Sequence, residues 1–419
     1  MAGTVREGAT ERTRWILVFM VLLLVVISVV PWRRGTIYSG GADPVVVAKA
    51  VVGIVAFCCA LVLHSTARIT GSVGIRTLLL LAGIVLISTI GALPTGDTSA
   101  ALVLSIRIVL IAATIVMIVR SAPPLVVLSA LLAALGAVAL VSAVTGAAQG
   151  LTGGRLSGGI PEMAPNVLAG LAAPPAIALA SDIVRRGLKP TNAAGLVVMF
   201  AIVFATGSRT TLIVVIVGII LAFLCGRRIA TSAAIMAIVA APFLYMLLVF
   251  TDTVSQVLGR GQDVQQLSTL SSRTVAWDAV LATPFDSWAK WIGIGLAAKT
   301  VPVQERWRDQ QVLDSSWVSI IAQAGIIGTL LLVIWIVITS VESLRRPGMR
   351  AIIAPLFVTL LIRSLTESGL IDSSATFLLF LTISLILEPG TMFPGRAKPA
   401  LPYQLAAPLP IARRQTTHA

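Results

Sequence analysis

Apolar residues in this chain fall in long runs separated by short polar connections, not on one face of amphipathic segments. A helix that crosses a bilayer needs about 20 mostly apolar residues. Twelve such runs can be counted, at roughly 15–31, 45–64, 77–94, 100–119, 124–148, 166–184, 192–207, 210–226, 229–250, 316–340, 351–366 and 372–388. Those at 192–207 and 351–366 lie near the lower length limit. The first run is too long for a signal peptide and lacks a small-residue cleavage site, so it is expected to remain as a helix. The pattern predicts an all-α polytopic membrane protein of about 12 transmembrane helices.

One connection stands apart, from Thr251 to about Ser315, and connections of that length are usually functional or disordered. Amphipathic material over Thr274 to Leu296 argues for short helices within it. The expected organisation is an N-terminal tail (1–14), nine helices (15–250), a large loop (251–315), three helices (316–388) and a Pro-rich basic tail (389–419). Placing the N-terminus in the cytoplasm puts 18 Lys and Arg in inside connections and tails, against 5 in short outside loops. That asymmetry follows the positive-inside rule. It predicts both termini cytoplasmic and the large loop extracytoplasmic.

Composition agrees with a membrane chain. Of the 419 residues 57% are apolar and 11% charged, and the mean hydropathy is +0.99. A net charge of +14 would suggest nucleic acid in a soluble protein. Here the basic residues lie between the apolar runs and read as topology signals, so no nucleic-acid partner is expected. The three cysteines, Cys58, Cys59 and Cys225, fall within predicted spans and form no disulfide framework.

Ionisable groups within or at the edge of a membrane are candidates for function because each is costly there. Lys49 lies close enough to a span end to snorkel, which favours a structural role. Arg107 lies about 10 Å into the fourth span at 1.5 Å per residue and calls for an internal partner. On the predicted outer side Arg155, Arg209, Arg273 and Arg363 each stand beside Gly or Ser, with Glu367 and Asp372 near the last. Each alone could anchor headgroups; together they suggest a polar cavity for an anion, since guanidinium donates bidentate hydrogen bonds to phosphate. Trp277, Trp288, Trp291, Trp307 and Trp317 cluster in or just after the large loop, either as an interfacial belt or as a sugar-stacking platform. No dense set of Asp, Glu, His and Cys reads as a metal site, and no cofactor is expected.

In this order, the landmarks resemble the O-antigen ligase and O-antigen polymerase superfamily of polytopic glycosyltransferases. Arg155-Leu156-Ser157-Gly158-Gly159 with Pro165-Asn166 resembles its R-x-x-G…P-N segment, and Gly207-Ser208-Arg209-Thr210 its S-R motif. Ser272-Arg273 through Trp277 to Gly293-Ile294-Gly295 is similar to its R…W…G-I-G loop. Ile321-Ala322-Gln323-Ala324-Gly325-Ile326-Ile327-Gly328 is similar to the start of the helix that follows. One position departs. Where ligases of the family carry a His, this chain has Asp314-Ser315-Ser316, and its only histidines are His64 and His418. Shape, elongation, division and sporulation peptidoglycan polymerases, similar in overall architecture, use an aspartate from their large outer loop.

The resemblance implies a polyprenyl-diphosphate-linked glycan donor and a glycan or glycolipid acceptor, reacting at the outer face of the bacterial plasma membrane. On that basis Arg209 and Arg273, with Arg155 and Arg363, are expected to clamp the diphosphate, supported by Asn166, Ser208 and Arg107, while Trp277 and Trp291 are candidates for sugar contact. Asp314 is the first candidate for general base and Glu367 the second; Asp314 could instead cap the following helix. Ligase and polymerase remain open. The alternative from another class is a multi-span transporter or flippase for an anionic or lipid-linked substrate, for which Pro174-Pro175 would break the sixth span.

Overall fold

The computed structural model describes residues 2–34, 43–67, 73–226, 275–305 and 308–388. Eleven of the expected runs fall there, and each is a helix: α1 (Ala2–Val29), α2 (Pro44–Ser65), α3 (Arg76–Gly91), α4 (Thr98–Ser121), α5 (Pro124–Gly153), α6 (Pro165–Arg186), α7 (Pro190–Ala205) and α8 (Arg209–Gly226). After a helical stretch, α9 (275–281), come α10 (Trp288–Ile292), α11 (Ser316–Arg345), α12 (Pro347–Ser364) and α13 (Ala375–Leu387). Seven of these helices, α1, α2, α4, α5, α6, α11 and α12, are long and apolar enough to cross a membrane, and α3, α7, α8 and α13 are shorter apolar helices. The chain is thus a mostly helical polytopic membrane protein. The run at 229–250, Arg273, Trp307 and the basic tail lie outside the described residues.

Local chemistry sets the helix starts. Proline occupies the first turn of α2, α5, α6, α7 and α12, where its missing N–H costs nothing and its fixed φ suits a helix. Asp43 accepts from the Val45 N–H at 2.9 Å and Ser374 from the Phe377 N–H at 3.1 Å, capping α2 and α13. Pro174-Pro175 does not break α6, which runs unbroken from Pro165 to Arg186. Within a bundle, neighbouring groups can satisfy what an internal proline frees.

The helices sort by what surrounds them. α2 shows Val47, Val51, Ile54, Val55, Leu61 and Val62 on its exterior, a surface that suits lipid and not water. α13 is the opposite case, with every residue from Phe377 to Leu387 buried. A helix apolar on all sides belongs inside other helices, and α13 packs against α1, α3, α4, α5, α11 and α12. Its 13 residues need not match a bilayer because protein encloses them. Phe380 stacks near Trp335 and Phe357, and the Trp335 indole donates to Ser384 Oγ at 3.0 Å.

Just past α13, Glu388 caps another helix from a distance. Its carboxylate accepts from the Arg76 N–H at 2.6 Å and the Thr77 N–H at 3.0 Å, the first donors of α3. Those donors have no partner within their own helix, and negative charge is favoured there. Glu388→Gln is expected to cost about 1–2 kcal/mol, seen as a lower midpoint in thermal unfolding of the detergent-solubilised protein. An unchanged midpoint would mean the cap contributes nothing.

Short helices alone were expected in the large loop, but it also holds an antiparallel hairpin, β1 (Thr300–Glu305) with β2 (Arg308–Val312), in register Thr300 to Val312. Ala276, Val280, Val301, Leu313, Val318 and Ala322 form a small core that joins α9, the hairpin and the start of α11. α11 itself is interrupted at Gly325, whose φ of 65° and ψ of −164° are not helical.

Candidate functional site

Among the described residues, a chamber of about 570 Å³ with several charged side chains on its wall lies at one pole of the bundle. It is bordered by the exit of α1, the entry of α2, the second and third turns of α4, the first two turns of α6, the end of α12 and the entry of α13. This is the pole that the Lys and Arg count assigns to the outside. Five cations line it, Arg33, Lys49, Arg107, Lys299 and Arg363, against the carboxylates Asp43, Glu367 and Asp372.

Four of the five cations, Arg33, Arg107, Lys299 and Arg363, are positioned by an identifiable partner. Arg107 reaches from α4 to the Ser28 carbonyl at 2.6 Å, one of the last carbonyls of α1, where a cation also meets the negative end of the helix dipole. The Trp32 indole donates to the neighbouring Ile27 carbonyl at 2.9 Å. Arg33 pairs with Asp43 at 3.5 Å, and Lys299 forms an ion pair with Asp372. Arg363 donates to the Asn166 carbonyl at 3.2 Å and lies directly on the backbone of α6. Gly170 permits this, since a Cβ there would come within 1.8–2.0 Å of the guanidinium.

A chain of contacts runs on from Arg363. The Asn166 side chain accepts from Arg155 at 3.3 Å, and Arg155 Nε donates to the Thr206 carbonyl at 2.9 Å. Thr206 opens the turn into α8, where Gly207 has a left-handed φ of 62°, Ser208 is buried and bonds Thr211 at 3.0 Å, and Arg209 is exposed at the helix start. Arg155, Asn166 and Arg363, far apart in sequence, are therefore brought together, with Ser208 and Arg209 on the turn that holds Arg155.

The two carboxylates considered as base are placed differently. Glu367 lies one turn beyond Arg363, its N–H bonded to the Arg363 carbonyl at 2.9 Å, so both face the chamber. Asp314 is not on the chamber wall. It follows Leu313, whose N–H bonds the Lys299 carbonyl at 3.0 Å, and precedes Ser316, whose hydroxyl donates to the Glu367 carbonyl at 2.8 Å. The residue at the cap position of α11 is Ser315, so Asp314 does not fill that role.

Of the loop tryptophans among the described residues, Trp277, Trp288, Trp291 and Trp317, none lines the chamber. Trp277 packs into the loop core, and the Trp291 indole donates to the Phe285 carbonyl at 2.9 Å beside exposed Trp288 and Phe285. Gly293-Ile294-Gly295 is a docking element. Ile294 N–H bonds the Ala322 carbonyl at 2.9 Å and Gly295 N–H the Gln323 carbonyl at 3.1 Å, where α11 is interrupted. Lys49, read as a snorkelling residue, lines the chamber, and sequence reasoning also missed Arg33, Asp43 and Lys299. Among the described residues no three His, Cys, Asp or Glu side chains converge as a metal set.

A polytopic helical membrane protein with a cation-rich chamber at one pole defines the class. Residues 194–333 match the family model described as O-antigen ligase, a match that supports membership of the O-antigen ligase/polymerase superfamily. The match indicates an O-antigen ligase-type, glycosyltransferase-like role in polysaccharide assembly. No curated protein matches the chain. Among the described residues, the matched segment supplies Leu296 and Lys299 to the chamber wall, and the rest of the wall comes from the chain on either side of it.

Proposed function

We propose that the chain transfers or polymerises a polyprenyl-diphosphate-linked glycan onto a sugar hydroxyl at the outer face of the bacterial plasma membrane, with both termini inside and without a metal ion. The observation that carries this reading is the excess of cations over carboxylates in the chamber. A diphosphate brought there meets fixed positive charge in a low-dielectric setting, where preorganised donors stabilise a leaving group most strongly.

In the reaction the acceptor oxygen forms a bond to the anomeric carbon while the bond from that carbon to the diphosphate oxygen breaks. The electron pair leaves with the diphosphate, and the hydroxyl proton passes to a carboxylate. Arg363, Arg107 and Lys49 hold the diphosphate, and Arg209 extends the clamp toward α8. Arg155 acts as a positioning residue through Asn166. Glu367 is the general base, in preference to Asp314, because it shares the chamber with the cations.

The test is a deletion strain complemented with single variants. Loss should shorten one envelope polysaccharide and accumulate its lipid-linked precursor. Asp314→Asn should restore the polymer, while Glu367→Gln should not, with turnover in isolated membranes reduced about 10²–10⁴-fold and wild-type activity persisting in excess chelator. Unchanged envelope glycans together with a defect in small-molecule uptake would replace this reading with a transporter.

A further inference from the structure

Two neighbouring helices, α3 and α11, pack against each other and each carries an exposed apolar stripe. Leu79, Leu86 and Ile90 recur at helical spacing on α3, as do Ile327, Leu330, Ile334 and Val337 on α11, which is the pattern of a face turned to lipid. The short helix α10 is seated where both stripes end. A Cβ at Gly91, next to Ile90, would meet the Ile292 carbonyl oxygen at 2.6 Å, and a Cβ at Gly325, just before Ile327, would meet the Trp291 carbonyl oxygen at 2.3 Å. From that seat the loop presents Leu281, Phe285, Trp288 and Trp291, all exposed, Phe285 by 69% and Trp288 by 60%. These side chains are braced from behind. The Trp291 indole donates to the Phe285 carbonyl at 2.9 Å, and buried Lys290 donates to the Leu281 carbonyl at 2.6 Å with its ammonium 4.9 Å from the centre of the Phe285 ring. Ser287 caps α10 by accepting from the Ala289 N–H at 3.2 Å.

We propose that Leu281, Phe285, Trp288 and Trp291 rest in the bilayer leaflet on the chamber's side, making α10 an interfacial anchor for the large loop. Large apolar side chains fixed in exposed positions are unfavourable in water and call for an apolar partner. Continuity with the stripes of α3 and α11 identifies that partner as lipid, since α10 prolongs a surface already turned to it. A glycan fits less well. The Trp291 indole N–H and the Lys290 ammonium, donors that sugar hydroxyls would need, are turned to backbone carbonyls. Depth follows from Asp286, which is exposed between Phe285 and Ser287. A carboxylate is costly in hydrocarbon, so the patch stops at the boundary between headgroups and chains, where tryptophan is favoured. The anchored segment leads through the docked Gly293-Ile294-Gly295 to Lys299 on the chamber wall, so the leaflet holds that part of the wall at a fixed depth.

The test uses the full chain in phosphatidylcholine nanodiscs, with the fluorescence of Trp288 taken as the difference between wild type and Trp288→Phe. Phosphatidylcholine brominated near the headgroup should quench most of that signal. The same lipid brominated near the chain ends should quench it less, and iodide in the buffer should leave it intact. A lipid-soluble carbene photolabel applied to the wild-type protein should mark residues 281–291, a readout that needs no substitution.

Quenching by iodide and by neither brominated lipid would turn the patch to water, and recovery of that signal on adding the producing cell's envelope polysaccharide would make it a glycan platform. Shielding from iodide and from both lipids would put another polypeptide over it. Stronger quenching from the chain ends than from the headgroup side would make α10 a deeply inserted segment. Each of these overturns the proposal. None of the measurements requires turnover, so failure of the anchor and failure of the glycosyl-transfer reading are seen separately.

Discussion

Alanine at Gly170 is expected to abolish glycan transfer while leaving the protein in the membrane. The added Cβ would lie 1.8 Å from one terminal nitrogen of Arg363 and 1.9 Å from the other, so the guanidinium has to leave its place on α6. Its bond to the Asn166 carbonyl goes with it, and Asn166 is the residue that contacts Arg155. One methyl group thus disturbs two of the arginines near the chamber. Removing one oriented donor from a developing charge costs about 10²–10³-fold in turnover, and Gly170→Ala should match Arg363→Ala at that level. The helix itself should not suffer, since alanine is the better helix former by about 1 kcal/mol. Polymer synthesis in isolated membranes, normalised to the amount of protein, measures the effect. Near-normal synthesis by Gly170→Ala would remove Arg363 from the mechanism.

Alanine at Gly325 should be equally damaging by another route. The backbone there has φ 65°, a left-handed conformation that costs an L-residue about 1–2 kcal/mol. In addition, its Cβ would fall 2.3 Å from the carbonyl carbon and oxygen of Trp291, backbone atoms that cannot rotate away. Gly293 has the reciprocal problem, its Cβ meeting Gln323 and Ala324 at 2.3–2.5 Å, and a Cβ at Gly91 would meet the Gly293 carbonyl at 2.6 Å. The three glycines let the end of α3, the loop segment after α10 and the interruption in α11 touch backbone to backbone. Gly325→Ala should undock the loop, breaking the bonds from Ile294 to Ala322 and from Gly295 to Gln323. Limited proteolysis of the solubilised protein should then cut within residues 275–315, where the wild type resists. Continued resistance would show that the contact is dispensable.

The helices were legible because the sequence marks their bodies with apolar runs and many of their starts with proline. Their surroundings were not. α13 reads like any other span, and only packing reveals it as a buried strut. The hairpin escaped notice because its strands are short and polar, as in Arg308–Val312, and depend on a small core contributed by distant residues. Gly325 sits in an apolar run that looks continuous, so its break in α11 carries no periodic signal.

Of the four arginines singled out beside Gly or Ser, Arg363 lines the chamber, Arg155 connects to it through Asn166, Arg209 stands on the turn into α8, and Arg273 lies outside the described residues. The small residues that matter in space, however, are Gly170 for Arg363 and Thr206 for Arg155, not the sequence neighbours. Lys49 lines the chamber although its depth suits snorkelling, because depth along a helix does not fix rotation about its axis, and rotation decides between lipid and cavity. Asp314 was favoured by position relative to a family motif. Glu367 reaches the chamber because it continues the turn that carries Arg363, a relation visible in the spacing of four residues.

The chamber is bounded by residues of 29–33 and 43–49 on one side and of 363–376 on the other, parts of the bundle that leave the ribosome early and late. Its walls cannot meet until α12 and α13 have entered the membrane. A nascent chain therefore carries its cations apart, and the binding pole forms as a late event of biogenesis. Insertion of the final two helices, and not synthesis of the segment shared with the family, is the step that completes it.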